Sequence, residues 1–576
     1  MTRSAHRNRS PETPPRWRLL TVVAVVGLVA CAVLARAVEL QVIDRDFLRE
    51  EAAERHLRTV SMPAHRGVIT DRSGEILAIS SPVQSAWAHP GKLLGHPQTI
   101  DQLARILERP AGELHRCREQ RREREFVYLR RHLAPRRAEQ VQALHAPGVE
   151  LQREFRRFYP AGEVTAQLIG ITDIDGRGLE GVERAFNDTL RGRSGAKRVL
   201  RDRLGRTIKD VALLQEPRPG ERLTLALDRR IQYHSYRALK RAVQRHGARA
   251  GTAVVLDAAT GELLALVNQP SYNPNARSTP SDDESHRNRG AAATYEPGSV
   301  IKPFTVASAL RSGSVAMGET IDTAPGTFRV AGHTVRDVRN YGRLKVTGVI
   351  RKSSNVGAAK IALRTPPRAL WQTLQDFGFG APTGSRLPTE ASGYVDPAPP
   401  RRRVERATLA YGYGIAATPL QLARAYAAIA NDGVLRPVSL LARQAPAEGY
   451  RVLDAEIAGR LQGMLEAVVS PGGTGHRAAV AGYRVAGKTG TVRKVGPDGY
   501  AERKYVALFA GFAPVSDPRF VIVVLIDEPT GEAYYGGQIA APVFSQIMAE
   551  ALRMRNVPPD QPEGSGVPVI AVGEEP

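Results

Sequence analysis

The longest apolar run lies near the start of the chain. Residues 19–35, LLTVVAVVGLVACAVLA, carry no charge and stand between Arg18 and Arg36. At about 1.5 Å per helical residue, this run is just long enough to cross a bilayer when the flanking arginines snorkel. The pattern predicts a membrane helix at 19–36, and residues 35–58 predict that the helix continues beyond the membrane.

Shorter apolar runs separated by turn residues predict strands. One hairpin is predicted at 66–80 around DRSG and a second at 251–269 around DAATG, and three successive strands are predicted at 483–492, 504–514 and 519–529. Between the two hairpins, residues 228–247 predict a helix with Asp228 as N-cap and Gly247 at its C-terminal end. A sheet that joins the second hairpin to the late strands, with helices inserted between them, is an α+β architecture.

The order of these segments predicts five regions. They are a cytoplasmic tail (1–18), a membrane anchor (19–36), an N-terminal extracytoplasmic domain (37–215), a second domain with candidate chemistry (220–550) and a Pro/Gly-rich disordered tail (555–576). A Pro/Gly-rich linker at 213–228 separates the two domains. In the N-terminal domain, Arg66, Arg72 and Glu180 are interpreted as an ion-pair network.

Charge around the apolar run predicts its orientation. Five arginines precede the run, so the positive-inside rule puts the N-terminus in the cytoplasm and the rest of the chain outside. A cleaved signal peptide ending at ARA (35–37) and a lipoprotein using Cys31 are alternatives, but the run is longer than a signal peptide requires and continues past Cys31. The only other cysteine is Cys117, so no disulfide is expected in the exported part.

Overall charge argues for an acidic or lipid surface as partner. The chain has 576 residues, a net charge of +23 and a sequence pI near 10.3. It lacks the zinc spacings, recognition helices and aromatic-interleaved basic motifs of nucleic-acid readers, and we expect no nucleic-acid partner. Only 11 of its 81 basic residues are Lys. A Lys in a candidate site therefore suggests a role that Arg could not fill.

Candidate chemistry begins in EPGSVIKPFTV, where Ser299 and Lys302 lie three residues apart at the start of a helix. This spacing puts both side chains on one face, where a neutral Lys can take the proton of a Ser nucleophile. Arg cannot act in this way because its guanidinium does not deprotonate. The spacing alone is weak, since Ser194 and Lys197 repeat it in a polar, basic stretch.

Two later motifs separate Ser299 from that decoy. KSSN carries Ser353, which could relay a proton to the leaving amine, and Asn355, which could bind a substrate amide. KTGT carries Lys488, a second cation that keeps Lys302 neutral, followed by Thr489 and Gly490. Gly490 gives room for a substrate backbone, Thr489 supports the strand and the substrate, and the Thr491 N–H pairs with that of Ser299 as an oxyanion hole. The catalytic residues are thus Ser299, Lys302 and Ser353, and the substrate-binding residues are Asn355, Lys488, Thr489, Gly490 and Thr491.

The order S-x-x-K, S-x-N, K-T-G resembles the signature of penicillin-binding proteins and serine β-lactamases. Residues 66–78, 156–187, 412–434, 472–491 and 534–544 further resemble class B penicillin-binding proteins, most of all the division-specific septal D,D-transpeptidase. The chain departs from that pattern at Gln167 and Ala293, where His and Asp are common. Both positions lie outside the three motifs.

The resemblance implies a penicillin-recognising, β-lactamase-like transpeptidase domain with an antiparallel sheet and flanking helices. It also implies an elongated N-terminal pedestal for dimerisation or partner binding, one transmembrane helix, and residence in the inner membrane at the division septum. Ser299 would be acylated by peptidoglycan stem peptides and by β-lactam antibiotics, with no metal and no organic cofactor. Further implied partners are a lipid II polymerase of the shape, elongation, division and sporulation family and other division proteins.

Three other functions share parts of this pattern. The elongation-specific relative has the same three motifs. A β-lactamase or D,D-carboxypeptidase would need a positioned water to release the acyl group, and no motif for one is visible. A β-lactam sensor or division scaffold would not need catalysis, but a sensor would need more cytoplasmic or membrane sequence than the region before residue 19.

Overall fold

The computed structural model describes residues 16–45, 57–93, 97–120, 124, 126–201, 207–276, 284–496 and 499–561. Residues 1–15 of the predicted cytoplasmic tail and 562–576 of the predicted C-terminal tail lie outside these ranges, as does the side chain of Cys117.

Nineteen strands lie in the described ranges. In chain order they are β1 Leu57–Met62, β2 Ile69–Thr70, β3 Ile76–Ala88, β4 Val127–Leu133, β5 Val149–Phe158, β6 Gly195–Arg201, β7 Thr207–Gln215, β8 Leu223–Thr224, β9 Ala250–Asp257, β10 Leu263–Gln269, β11 Thr320–Asp322, β12 Thr327–Val330, β13 His333–Arg336, β14 Arg343–Lys345, β15 Val434–Leu435, β16 Tyr450–Arg451, β17 Ala486–Gly496, β18 Gly499–Ala513 and β19 Phe520–Asp527.

The α-helices of the described ranges are divided evenly between the two halves of the chain. In chain order they are α1 Arg16–Val38, α2 Pro90–Leu93, α3 Pro97–Leu107, α4 Ala111–Gln120, α5 Pro135–Ala143, α6 Ala166–Ile169, α7 Gly181–Ala185, α8 Asn187–Leu190, α9 Arg229–Arg245, α10 Arg289–Ala292, α11 Lys302–Arg311, α12 Val346–Lys352, α13 Asn355–Arg364, α14 Pro367–Asp376, α15 Arg403–Leu409, α16 Pro419–Ala430, α17 Ala455–Val469 and α18 Gly536–Met554.

The apolar run forms a helix in which none of the described side chains is buried. Helix α1 continues through a π-helical turn at Glu39–Ile43, and the apolar stretch Leu20–Ile43 has the length and composition of a membrane span. This fits a single-pass membrane anchor. The prediction that the helix reaches residue 58 is wrong at its end, because Leu57 and Arg58 already pair with β6 as the first residues of β1.

The chain forms two compact units. The first consists of Met1–Ala64, Gln84–Arg153 and Arg193–Arg218, and the second of His65–Val83, Glu154–Gly192 and Pro219–Pro576. The first unit contains the antiparallel sheet β1–β6–β7 and a small core of α3, α5 and β4 side chains, among them Ile100, Leu103, Leu129 and Val141.

The second unit is built on the five-stranded antiparallel sheet β10–β9–β19–β18–β17. This sheet joins the predicted hairpin to the three predicted late strands, so the α+β architecture is confirmed. Helices α9 and α18 cover one face through residues such as Leu239 and Phe544. The other face packs against α11 and α16 in the largest core cluster. Strand β17 carries the third motif and lies at the edge of the sheet.

Two of the local predictions are confirmed in detail. Asp228 caps α9 by accepting hydrogen bonds from the backbone N–H groups of Arg230 and Ile231. The hairpin at 66–80 forms from β2 and β3, with Ile69 opposite Ala78. The predicted linker at 213–228 is shorter than expected, because β7 runs to Gln215 and β8 begins at Leu223.

The predicted ion-pair network exists with a different acid. Arg66 and Arg157 both pair with Glu183 at 2.6 Å, and all three side chains are buried. Arg72 pairs instead with Glu262. Glu180 was wrongly included, because it lies beside Tyr272 and His286. Sequence could not distinguish the two glutamates, since only the packing of α7 decides which one faces the arginines.

Candidate active site

The candidate nucleophile lies in a turn that is held from three sides. Ser299 belongs to the 3₁₀ turn Gly298–Ile301, which continues directly into α11. The hydroxyl of Tyr426 donates to the backbone carbonyl of Val300 at 2.8 Å. Gly298 has a φ of +56°, and a Cβ added there would lie 2.4 Å from Val492 of β17. A Cβ added at Gly412 would lie 2.2 Å from the carbonyl oxygen of Gly298. Glycine at 298 and 412 therefore lets the turn fit between the edge strand and the loop before α16.

Lys302 is completely buried behind this turn. Its Nζ donates to the carbonyl oxygen of Ser353 at 2.6 Å, to Oγ of Ser353 at 3.1 Å and to Oδ1 of Asn355 at 2.8 Å. Burial lowers the pKa of the Lys302 amine to about 7, against the opposing attraction of Asp337. A lysine with such a pKa exists partly as the neutral amine at physiological pH, which is the form that can accept a proton.

The second motif is positioned by a left-handed residue and an N-cap. Ser353 ends α12 with a φ of +59°, a conformation that costs a non-glycine residue about 1–3 kcal/mol. Ser354 is the N-cap of α13, and its Oγ accepts the N–H of Gly357. Asn355 is hydrogen-bonded on both sides of its amide, to Lys302 and to the carbonyl of Arg336.

Asp337 holds this motif and was missed in the sequence. Its carboxylate accepts hydrogen bonds from the hydroxyl of Ser354 and from the N–H groups of Asn355 and Val356. An acid in this place complements the positive N-terminal end of α13. Its only sequence signal is its place in RDVRN, directly after the short strand β13. An Asp at the end of a strand is common in this chain and does not by itself indicate such a role.

Lys488 reaches the same point from the edge strand. It is also completely buried, and its Nζ donates to Oγ of Ser353 at 2.8 Å. Burial and the nearby Lys302 lower the pKa of Lys488 well below its usual value. Both lysines thus converge on one hydroxyl, and a proton on Lys302 disfavours one on Lys488.

The remaining residues of the third motif alternate along β17. Lys488 and Gly490 face the candidate nucleophile, and a Cβ on Gly490 would come within 3.2 Å of the carbonyl of Pro297. The missing side chain at Gly490 therefore allows the strand to approach the turn. On the opposite face, Thr489 hydrogen-bonds the hydroxyl of Thr474, and Oγ1 of Thr491 accepts the N–H of Gly536.

The Ser194 and Lys197 pair is not built in this way. Lys197 lies on β6 and its Nζ pairs with Asp210 of β7 at 2.9 Å, both side chains being substantially exposed. Among the described residues, neither a second lysine nor the serine of the KSSN motif is hydrogen-bonded to Lys197. The packing around the two serines therefore separates the candidate site from the decoy.

Two protein families match the chain. Residues 251–549 match the penicillin binding protein transpeptidase domain, and residues 61–225 match the penicillin-binding protein dimerisation domain. The chain therefore belongs to the class B penicillin-binding proteins, which combine these two domains.

Its relatives cover nearly its whole length. It is 43% identical to the peptidoglycan D,D-transpeptidase FtsI of Escherichia coli, over 94% of this chain and 93% of that protein. It is 41% identical to the probable peptidoglycan D,D-transpeptidase PbpC of Pseudomonas aeruginosa, over 96% and 98% of the two chains. The structure of penicillin-binding protein 3 from Mycobacterium tuberculosis in complex with aztreonam matches with a TM-score of 0.67 at 28% identity, covering 87% of this chain and 99% of that one.

The lowered pKa of Lys302 predicts a pH-dependent acylation. As the pH falls through about 7, the amine gains a proton and can no longer take one from Ser299, so acylation slows about tenfold per further unit. Stopped-flow acylation by a chromogenic β-lactam across about pH 5.5–9 measures this. Lys302→Arg is the matched control and should be inactive throughout. A wild-type rate that is flat through this range would rule out the depressed lysine as base.

Replacing Asp337 should slow acylation without removing the nucleophile. Asp337→Asn loses the charged acceptor that orders the second motif, and hydrogen bonds to charged groups contribute about 1.5–3 kcal/mol. We expect a loss of about tenfold or more in the acylation rate constant. Asp396→Asn is the control, because Asp396 is an exposed loop residue whose carboxylate accepts the N–H of Ala398, and its backbone carbonyl, which the variant keeps, accepts the indole N–H of Trp371. Equal rates in the two variants would show that Asp337 does not position the motif.

Proposed function

We propose that this chain is a peptidoglycan D,D-transpeptidase that cross-links stem peptides through an acyl-enzyme on Ser299. The observation that carries the proposal is the convergence of two fully buried lysines on the Ser353 hydroxyl behind the Ser299 turn. Two buried lysines around one serine are unfavourable for stability, so a chemical role accounts for their presence. The D,D-transpeptidase relatives give the reaction class.

In the first half of the reaction, Ser299 Oγ attacks the carbonyl carbon of the penultimate D-Ala. Neutral Lys302 accepts the hydroxyl proton as the C–O bond forms. Backbone N–H groups of Ser299 and Thr491 stabilise the negative oxygen of the tetrahedral intermediate. Ser353 then relays a proton to the leaving nitrogen, the C–N bond breaks and the terminal D-Ala departs. Lys488 holds the Ser353 hydroxyl in place for this transfer through its hydrogen bond to Oγ.

In the second half, an amine of a neighbouring stem peptide attacks the ester carbonyl. A new amide bond forms, the C–O bond to Ser299 breaks and the serine recovers its proton. Asn355, Thr489 and Gly490 are proposed to bind the donor peptide along β17. A β-lactam enters the same first half, and the aztreonam complex of the Mycobacterium tuberculosis relative supports this.

The proposed function includes a cellular location and a membrane partner. The apolar helix ending at Ile43 would anchor the protein with its N-terminus in the cytoplasm and both domains outside. We infer a septal role, which the division-specific relative in Escherichia coli supports, with a lipid II polymerase of the shape, elongation, division and sporulation family as membrane partner. The proposed boundaries are a pedestal at 37–215 and a transpeptidase domain at 220–550.

Intact mass spectrometry after brief exposure to a penicillin tests the proposed nucleophile. We expect one stable adduct on the wild type, none on Ser299→Ala and an undiminished adduct on the matched control Ser194→Ala. Rapid drug hydrolysis without an adduct would indicate a hydrolase instead. An adduct that survives Ser299→Ala would place the nucleophile elsewhere.

The septal role has its own test. A fluorescent fusion of the full chain, expressed in its dividing host cells, should concentrate at the division plane. Uniform labelling of the whole cell envelope would contradict septal function. So would cells that are depleted of the protein but still divide without forming filaments. Both results together would point to the elongation-specific role.

A further inference from the structure

A glutamate stands beside the nucleophile turn and takes no part in the mechanism above. Glu296 precedes Ser299 by three residues. Its Oε1 accepts the backbone N–H of Gly414 at 3.1 Å, and the hydroxyl of Tyr500 donates to its Oε2 at 3.2 Å. These contacts fix the carboxylate at the surface where the turn, the loop before α16 and the hairpin β17–β18 meet.

Glu296 has no cationic partner among the residues that the structure describes. Acids at the same end of the sheet do have cationic partners, since Asp527 and Glu528 both pair with Lys494 and Arg249. The nearby Arg493 lies over the ring of Tyr505, 5.9 Å from its centroid. A partly buried carboxylate has therefore been left with hydrogen-bond donors only.

Aromatic rings surround the carboxylate. Tyr413 packs edge-to-face on Tyr500 with ring centroids 5.5 Å apart, and Tyr411 packs on Tyr413 at the same distance. Tyr500 is 49% exposed, so this group opens to solvent. Tyrosine faces attract organic cations, and a carboxylate next to them adds a charged acceptor.

The raised pKa of the Glu296 carboxyl group fits a binding site for a cation. Burial raises the pKa of Glu296, and the hydrogen bonds from Gly414 and Tyr500 only oppose this effect. A bound ammonium would supply the missing positive charge and favour the ionised carboxylate. At neutral pH a primary amine of a stem peptide is an ammonium ion, so its chemistry matches this place.

We propose that Glu296, together with Tyr413 and Tyr500, binds the acceptor amine of the second half-reaction. The subsite selects and orients a primary ammonium group for reaction with the acyl group on Ser299. Because only the neutral amine is a nucleophile, the bound ammonium first loses one proton to the solvent that reaches this open site, and its nitrogen then attacks the ester carbonyl. Glu296 positions the acceptor and does not itself react. This inference rests on the proposed function, because it assigns an acceptor site to the same acyl-enzyme.

The experiment measures how the acyl-enzyme partitions between aminolysis and hydrolysis. Full-length protein in detergent is acylated with a thioester donor of the acyl-D-Ala type in the presence of increasing D-alanine as acceptor. The ratio of aminolysis to hydrolysis products is measured by chromatography. Because both products come from the same intermediate, this ratio does not depend on how fast Ser299 is acylated.

Glu296→Gln should lower the ratio about tenfold and raise the D-alanine concentration needed for half-maximal aminolysis, since a charged hydrogen bond is replaced by a neutral one. Tyr500→Phe keeps the ring and should lower the ratio less, by about threefold. Glu448→Gln is the matched control, because Glu448 is an exposed glutamate in the loop before β16.

Two results would overturn the subsite. One is an unchanged ratio in Glu296→Gln, and the other is a loss of acylation with an unchanged ratio, which would assign Glu296 to the nucleophile turn. Failure of the proposed function looks different, because the wild-type protein would then form no Ser299 adduct at all.

Discussion

The structure depends on keeping two lysine side chains inside the protein with one hydroxyl between them. Lys302 and Lys488 are both fully buried, and both donate to Oγ of Ser353. An ammonium group transferred from water into a protein interior loses several kcal/mol of hydration, and two such groups also repel each other. The pair therefore sheds protons at a pH where ordinary lysines keep them, and a neutral amine is what a serine nucleophile needs.

Such an arrangement persists only because its surroundings are rigid. Ser353 is held in a left-handed conformation at the end of α12, and Asp337 fixes the start of α13 directly after it. On the other side, Gly490 and Gly298 let β17 and the nucleophile turn come close enough for Lys488 to reach Ser353. Strain and burial at the site are offset by the large core around the five-stranded sheet.

The second unit extends beyond the segment that carries the motifs. Residues 65–83 and 154–192 pack with it, and the buried Arg66–Glu183–Arg157 cluster is part of that packing. Gln167 has a role in the same region, since its amide donates to the carbonyls of Pro270 and Ser285. At this position, where the class B pattern usually has His, the residue ties α6 to the segment that follows β10.

The sequence by itself determined the elements whose signals are local. The apolar run, the cap at Asp228, the two hairpins and the three late strands are each encoded by neighbouring residues, and the three motifs in order favour Ser299 over Ser194 as the candidate nucleophile. Tertiary structure alone decided which distant side chains meet. Asp337, Glu296 and Glu183 have no distinctive local pattern, and their roles arise when a loop, a turn or a helix brings them to groups up to 204 residues away, as for Glu296 and Tyr500. The lowered pKa of Lys302 belongs to the same category, because burial is a property of the folded packing and not of the residues on either side of the lysine.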